Sequence, residues 1–243
     1  WDGRRVAGSA LQAIWNHSTT HLDTTAGYRD LDEGFRAEAG FVPQVGYRAW
    51  NAGAGWTVRP DGFLRRQRTF LNVERQTARG GALIQQTVEL GGGMDIPLGG
   101  FLQVRYLDDR VESLGRLFPR RRFGYVARFN PSRRVAQVSV DGTLGEEVDF
   151  SNGRLGRGGT INASANLNPT THLELVLLAN RRWLDVSANA PGRRVFTAGI
   201  SRLLATYAFT SRAFARVIAQ YVATERDAAL YTTLVDRRDG SFS

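Results

Sequence analysis

Few side chains in this sequence could bind a metal or act as a catalytic base, and the clearest candidates are three histidines. His17 and His21 have the spacing of a metal-binding pair on a helix, but the serine and threonines between them predict a loop, and no carboxylate stands at motif spacing. His172 opens a predicted strand beside a turn. We therefore predict solvated or interfacial histidines, with no metal site.

One acidic cluster, Glu146, Glu147 and Asp149, could offer oxygen ligands to Ca²⁺, but a solvated acidic loop is the simpler interpretation. Glycine runs at 91–93 and 158–159 do not stand between a strand and a helix, so they indicate turns or bends rather than a phosphate-binding loop. No serine and histidine are predicted to be adjacent on an outer face, as a membrane-embedded hydrolase would need. We predict no catalytic residue, no cofactor and no enzymatic activity.

The most informative polar residues stand within predicted strands, at alternate positions. Because successive side chains of a strand point to opposite sides, the residues of such a row face the same way. In a barrel that side is the lumen, where polar side chains either form a closed hydrogen-bonded plug or line a small pore. The predicted lumen-lining residues are Arg68, Glu74, Gln103, Arg105, Arg128, Gln137, Asp141, Asn162, Asn166, Glu174, Arg216 and Gln220.

The strands that would position this row are predicted most clearly in residues 158–224. They are three long strands, joined by a tight turn at Asn168-Pro169, a loop, and a second tight turn near Thr210. Apolar and polar residues alternate in the first of them, in the order Ile161, Asn162, Ala163, Ser164, Ala165, Asn166 and Leu167. A strand of about ten residues is long enough to cross a bilayer, whereas a soluble sandwich usually needs five or six. The predicted fold is an all-β, transmembrane, antiparallel up-and-down β-barrel.

The whole chain predicts about twelve strands in one domain over residues 1–243, possibly part of a larger barrel. Strands are predicted over about 5–16, 47–58, 63–77 and 82–91, then through to 213–224, with a partial last strand near Leu230. Segments 17–46, 92–100, 108–121, 145–157 and 185–194 are predicted as connections. Apart from 78–81, long and tight connections alternate, which predicts long external loops at one end and short periplasmic turns at the other. In the strand over 195–209, Arg202 interrupts one row, so the row through Leu203 and Tyr207 is predicted to face lipid.

Aromatic residues on the opposite rows predict the interfacial girdles that flank the apolar band of a membrane barrel. Two tryptophans near the ends of one apolar row, in the strand over 47–58, are the clearest example. The predicted girdle residues are Trp15, Trp50, Trp56, Tyr106, Phe123, Phe129, Trp183, Tyr207 and Tyr221.

Composition excludes some classes of protein. The 243 residues contain 27 Gly and only 7 Pro, which favours an ordered chain over a disordered linker, and no apolar run is long enough for a transmembrane helix. The net charge is +9, and all 32 basic residues are arginine, dispersed in strands and turns rather than gathered on one helix or tail. Nucleic-acid binding is therefore disfavoured. The absence of Cys excludes disulfides and thiolate metal sites.

The sequence resembles a bacterial outer-membrane family whose longer members join an N-terminal domain like family-9 carbohydrate-binding modules to a C-terminal barrel. The residues that carry the resemblance are Gly27-Tyr28-Arg29-Asp30-Leu31, Phe35, Glu38, Gly40-Phe41-Val42-Pro43, Tyr207-Ala208-Phe209-Thr210, Phe214 and Gln220-Tyr221. The resemblance implies an outer-membrane barrel and no catalytic residues. The sugar-binding-like domain, a signal segment and a terminal apolar strand are missing, so we expect an internal portion of a longer protein.

The expected function is that of an integral protein of the bacterial outer membrane, a channel or ligand-uptake porin with an arginine-biased lumen. The alternative is a barrel without a transport role that anchors a surface domain or docks a protein partner; a soluble basic nucleic-acid-binding β-protein is a third class. Expected partners are outer-membrane lipid, a small-molecule or oligosaccharide solute, and a protein bound through the outer loops or the missing N-terminal domain. No nucleic-acid partner is expected.

Overall fold

The structure, a computed structural model, describes residues 7–36, 44–186, 193–231 and 235–243. It is all-β, and its strands form one sheet in which each strand pairs antiparallel with its sequence neighbours, in the order β1 to β13. The strands are β1 (Ala10–Ser18), β2 (Leu22–Leu31), β3 (Tyr47–Val58), β4 (Arg66–Ala78), β5 (Leu83–Ile96), β6 (Gly100–Ser113), β7 (Arg116–Phe129), β8 (Val135–Asp149), β9 (Arg154–Leu167), β10 (Leu173–Val186), β11 (Arg193–Thr210), β12 (Ala213–Arg226) and β13 (Arg238–Phe242). The predicted antiparallel up-and-down topology is confirmed.

Within the described residues, no helix is long and apolar enough to cross a membrane.

The prediction of about twelve strands is corrected to thirteen among the described residues, because β2 lies inside the segment 17–46 that was predicted as a loop. Its threonines, aspartates and glycine are typical of loops. Yet β2 pairs with β1 and with β3 along its whole length. The pairing with two neighbours, rather than local sequence preference, makes this segment a strand. The partial strand predicted near Leu230 is instead a short 3₁₀ turn, Ala228–Leu230, which precedes β13.

The segments 108–121 and 145–157, also predicted as loops, belong to two long hairpins, β6–β7 and β8–β9. The charges that suggested loops are paired across the strands. In the first hairpin, Asp108 pairs with Arg121 in the register, and Asp109 pairs with Arg120. Opposite charges at facing positions of an antiparallel pair stabilise the ladder.

The alternating strand directions place the connections at two ends of the sheet. End A contains the connections 19–21, 59–65, 97–99, 130–134, 168–172 and 211–212, and end B contains the described connecting residues 32–36, 44–46, 79–82, 114–115, 150–153, 227–231 and 235–237. The predicted sorting of long loops to one end is therefore wrong for the β6–β7 and β8–β9 connections. Those strands continue toward end B and close with short turns.

The glycine runs 91–93 and 158–159, predicted as turns or bends, lie within β5 and β9, so neither forms a turn. A Cβ on Gly91 would stand 2.5 Å from Phe70 Cζ and 3.0 Å from Arg105 Cβ, whereas a Cβ on Gly92 would meet nothing closer than 3.6 Å. Gly91 leaves room for two side chains that lie across the sheet. We expect Gly91→Ala to lower the free energy of unfolding by about 1–3 kcal/mol through overpacking.

The neighbouring substitution Gly92→Ala is the matched control for Gly91→Ala. It should leave stability unchanged within about 0.5 kcal/mol, because its new methyl group enters ordinary contact distance only. Urea unfolding of both variants in detergent micelles would measure the difference. Equal destabilisation by the two alanines would contradict the packing of Phe70 and Arg105 over Gly91.

Candidate functional site

The register of the sheet sorts side chains onto two faces, because residues paired across antiparallel strands point to the same side. The pairs Arg105↔Gly124 and Asp141↔Asn162 belong to one face. Following the register from β4 to β12 places all of the residues predicted to line a lumen on this side, which we call the polar face. The structure thus brings the predicted row together on one surface.

On the polar face, the Arg68 side chain reaches across one strand to contact a carboxylate on the next. Its Nη2 and Nε atoms donate to Asp23 Oδ1 at 2.5 Å and to Asp23 Oδ2 at 3.0 Å. Gly55 lies between them on β3, and a Cβ there would stand 2.3 Å from Arg68 Nη2. The glycine lets the guanidinium lie flat against the sheet, so the ion pair covers the wall rather than projecting from it.

A second interaction across three strands centres on Glu89 of β5. Its carboxylate accepts a hydrogen bond from Asn72 Nδ2 at 3.0 Å and lies 3.5 Å from Arg105 Nη1. Arg105 in turn lies over Gly124, where a Cβ would stand 2.5 Å from its Nε atom. Glycine and a long polar side chain are again neighbours, which lets polar groups of adjacent strands satisfy one another.

The polar ladder continues toward the C-terminal strands through amide and hydroxyl groups and one carboxylate, that of Asp141. Asn162 donates to Asp141 Oδ2 at 2.8 Å, and Asn180 donates to Asn162. The hydroxyl groups of Ser139 and Ser164 lie 2.7 Å apart. Each of these contacts joins neighbouring strands on the polar face.

The remaining predicted lumen-lining residues also lie on the polar face, but they make few side-chain hydrogen bonds or none. Arg216 donates to Thr206 Oγ1 at 3.3 Å. The others make no side-chain hydrogen bond to another described residue: Glu74, Gln103, Arg128, Gln137, Asn166, Glu174 and Gln220. Their polar groups are free to meet water or a solute.

A cavity of about 320 Å³ opens on the polar face between β2 and β5, with Thr25, Asn51, Asn72, Glu74 and Glu89 among its lining residues. Amide, hydroxyl and carboxylate groups of this kind can exchange hydrogen bonds with a polar solute. The described part of the chain contains no group of three or more histidine, aspartate or glutamate side chains that could hold a metal ion.

The opposite, apolar face carries all of the predicted girdle aromatics. Register pairs such as Tyr106↔Phe123 and Tyr221↔Ser201 fix their common side. Trp56, Phe129 and Tyr207 lie near end A, together with Trp15. The others lie farther toward end B: Trp50, Tyr106, Phe123, Tyr221 and Trp183. Many of these rings are open to the surroundings; Trp56 is 53% exposed and Tyr221 is 54% exposed.

Across the middle of the described strands the apolar face is free of charge, and in β10 this charge-free band ends at Arg181, which lies on the end A side of Trp183. In β3 only Ala52 and Ala54 separate Trp50 from Trp56 on this face, and the two tryptophans lie roughly 20 Å apart along the strand at about 3.3 Å per residue. Toward end B the same face becomes charged in nearly every strand, through Asp30, Arg48, Arg75, Asp108, Arg110, Arg121, Glu146, Arg157, Arg181 and Glu225. The apolar band therefore has a defined boundary.

The grouping of the three histidines on the apolar face was not predicted from the sequence. His17 stacks on Trp15 and His21 stacks on Trp56, with ring centroids 6.0 and 5.9 Å apart, and the His172 ring lies 6.1 Å from Tyr207. All three histidines lie at end A. Their ring contacts show that they extend the aromatic level there. The one indication in the sequence was the alternation of residues in β1, which places His17 in the same row as Trp15.

Charged side chains pack together at end B of the polar face, on β6, β7 and β8. Asp109 accepts hydrogen bonds from Arg120, at 2.7 Å, and from Arg122, and Arg120 Nη1 donates to Glu147 Oε1 at 2.7 Å. The Asp109 side chain is 3% exposed and that of Arg120 is 14% exposed. This quartet joins β6, β7 and β8, and its two carboxylates balance its two guanidinium groups.

A short turn between β12 and β13 also packs at end B. Leu230 contacts the buried cluster of Leu184, Val186 and Val195, and its carbonyl oxygen accepts a hydrogen bond from Arg154 Nη2 at 2.7 Å. Since Leu184 and Arg154 lie on the polar face, the turn crosses that face over β9 to β11.

Two carboxylates at end B are held ionised by their partners. The pKa of Asp227 is lowered by its hydrogen bond with the Arg193 guanidinium and by the backbone N–H of Ala229. The guanidinium groups of Arg79 and Arg48 likewise lower the pKa of Asp30. Hydrogen bonds from cationic or N–H donors favour the charged form of a carboxyl group.

Comparisons with models of protein families, with curated proteins and with solved structures found no match. The family resemblance described above stays a prediction, and the part of it that falls on Glu38 and on residues 40–43 lies outside the described residues.

Proposed function

We propose that this chain forms the wall of an outer-membrane β-barrel whose polar face lines a channel for small polar solutes. The observation that carries the proposal is the sorting of side chains by the register: a hydrogen-bonded polar ladder on one face, and a charge-free band across the middle of the other. A soluble sheet would bury its apolar face against a second layer. In a bilayer that face meets lipid, and strands cross as a closed sheet so that no edge stays unpaired.

The lumen of this barrel is biased toward anionic solutes. Arg128, Arg182, Arg202 and Arg216 lie on the polar face, and none forms an ion pair with a described carboxylate. Charged rings in a pore determine which ions enter it. The channel should therefore prefer anions to cations.

Planar-bilayer recordings test the channel. In a salt gradient, purified protein should carry current with a reversal potential that favours the anion, and the double change of Arg202 and Arg216 to glutamine should reduce that preference. Arg75→Gln is the matched control, since Arg75 lies at the charged edge of the apolar face and should leave the selectivity unchanged. A protein that inserts but carries no current would contradict the channel.

A non-transporting scaffold is the second candidate, and the packing at end B favours it. The buried quartet around Asp109 and the turn that carries Leu230 both occupy the polar face there. A lumen filled in this way would leave the surfaces at end B to anchor a further domain or to dock a partner. An inserted protein without current is the result that would favour this candidate.

Extraction separates both candidates from a soluble, basic nucleic-acid-binding protein. A membrane barrel requires detergent for extraction and migrates faster on a gel when it has not been heated. Recovery of the protein in buffer without detergent would contradict the membrane proposal.

A further inference from the structure

Two adjoining cavities lie on the apolar face, with volumes of about 560 and 350 Å³. The smaller is lined by β9 to β12, and the larger extends from β8 to Phe242 of β13. They share Ala163, Ala179, Ser201 and Tyr221 in their lining, so we describe them together as the groove. Small side chains form its floor, since Ala163 pairs with Ala179, and Ala179 pairs with Ser201. Pockets of about 300–1,000 Å³ are large enough to hold a small-molecule ligand.

The groove extends from Leu177 and Leu203 on the side of end A to Ile161 on the side of end B, so its middle lies in the charge-free band and its end B reaches the charged edge. In a membrane, an empty groove of this kind would leave its lining atoms without van der Waals partners on one side. A flexible apolar chain that follows the groove restores those contacts. The shape and chemistry of the floor therefore suit a hydrocarbon chain.

The charge at the end of the groove nearest end B determines which headgroup fits. Arg181 lines the cavity there, is exposed, and has no ion-pair partner among the described carboxylates. Glu225 lines the same cavity, but Arg238 Nη2 contacts its Oε1 atom at 2.5 Å. The uncompensated charge at this point is that of Arg181, and a guanidinium group binds phosphate through two parallel hydrogen bonds.

A second copy of this chain fits the groove less well than a lipid does. A protein partner would have to bring a free carboxylate to Arg181. Four carboxylates at the charged edge of the apolar face already have arginine partners, in the pairs Asp30–Arg48, Asp108–Arg121, Asp185–Arg194 and Glu225–Arg238. Glu146 accepts a hydrogen bond from the backbone N–H of Arg121. A phosphate group carried by a lipid meets no such competition.

We propose that the groove binds one phospholipid, with an acyl chain against Ala163, Ala179 and Ser201 and its phosphate on Arg181. This inference rests on the proposed membrane location, because only there does the apolar face meet lipid. The bound lipid would fill the groove and cover the small side chains of β9 to β11 that form its floor.

Native mass spectrometry of the protein released from detergent micelles tests the site, with phosphatidylglycerol and a diacylglycerol of the same chain length as separate probes. The unaltered protein should retain one phosphatidylglycerol. Ala179→Phe or Ser201→Leu, either of which fills the groove, should reduce binding of both probes about tenfold or more. Arg181→Gln should weaken phosphatidylglycerol about tenfold and leave diacylglycerol unchanged, because only the charge-assisted contact is lost.

Matched controls lie elsewhere on the apolar face. Ala54→Phe adds the same ring outside the groove, and Arg75→Gln removes an arginine from another part of the charged edge; both should retain the lipid as the unaltered protein does. Equal retention by the Ala179→Phe and Ser201→Leu variants would overturn the inference, as would a dimer that those variants dissociate. A protein that needs detergent and shifts on heating, but retains no phosphatidylglycerol, would contradict the lipid site alone. A protein extracted without detergent would contradict the membrane location.

Discussion

Replacing Leu203 by arginine is expected to lower the free energy of unfolding by about 2–4 kcal/mol, the cost of a cationic side chain at the lipid midplane of a barrel. Leu203 lies on the apolar face of β11, where it pairs with Leu177 and Ala219, and both partners belong to the charge-free band. An arginine at this depth could not reach the charged edge without crossing several residues of apolar wall. Urea unfolding of the protein in phospholipid vesicles would measure the loss.

The adjacent residue provides the matched control. Leu204 points to the polar face, where Arg202 already lies two residues away, so Leu204→Arg should cost less than about 1 kcal/mol. The two variants have the same composition and alter the same strand. Equal losses of unfolding free energy in the two variants would show that β11 does not separate a lipid side from a lumen side. That result would contradict the membrane proposal.

Strand β11 also shows what alternation alone can predict. Both of its rows contain apolar residues, and Arg202 was the one feature that distinguished them. The structure pairs Arg202 with Gln220, on the same face as Arg216, so the predicted facing of this strand agrees with the register. Strand β3 was predicted over 47–58, and the structure has it over Tyr47–Val58. In β3 the two rows differ in polarity along the strand, whereas in β11 the single charge of Arg202 was sufficient to predict the facing.

Strand β2 could not be predicted in this way. Its residues Asp23, Thr24 and Thr25 are typical of a loop, and their pairing depends on β1 and β3 and on Arg68, which stands far away in the sequence. The charged parts of the long hairpins were misinterpreted for the same reason. A charged residue predicts solvent exposure when its partner is unknown, and the partner is supplied only by the register of the neighbouring strand.

The candidate site, likewise, could be predicted only in part from the sequence. Alternation was sufficient to propose the polar row, but the role of the glycines between its members required the structure. Gly55 and Gly124 are unremarkable in the sequence, yet each lies under an arginine side chain. The turn at Leu230 was likewise unpredictable, because its contacts with Val195 and Arg154 come from strands that are distant in sequence.

Asp109→Asn is expected to destabilise the protein by about 3–5 kcal/mol, the cost of removing one partner from a buried ion pair. Asp109 is 3% exposed and accepts hydrogen bonds from both Arg120 and Arg122. With asparagine in its place, Glu147 alone would face two guanidinium groups, and the amide N–H₂ could turn a donor toward them. Both effects act on groups that are largely shielded from water, since none of the four side chains is more than 18% exposed.

Asp108→Asn is the matched control, because Asp108 lies on the apolar face of the same β6–β7 hairpin. Asp108 is 45% exposed and lies 4.0 Å from Arg121, whose side chain is 68% exposed, so its loss should change stability by less than about 0.5 kcal/mol. Guanidinium chloride unfolding in detergent micelles would compare the two variants. A similar effect for both would mean that the Asp109 quartet is solvated rather than packed together at end B of the polar face. A large effect confined to Asp109→Asn would support a quartet that holds β6, β7 and β8 together where the lumen would open.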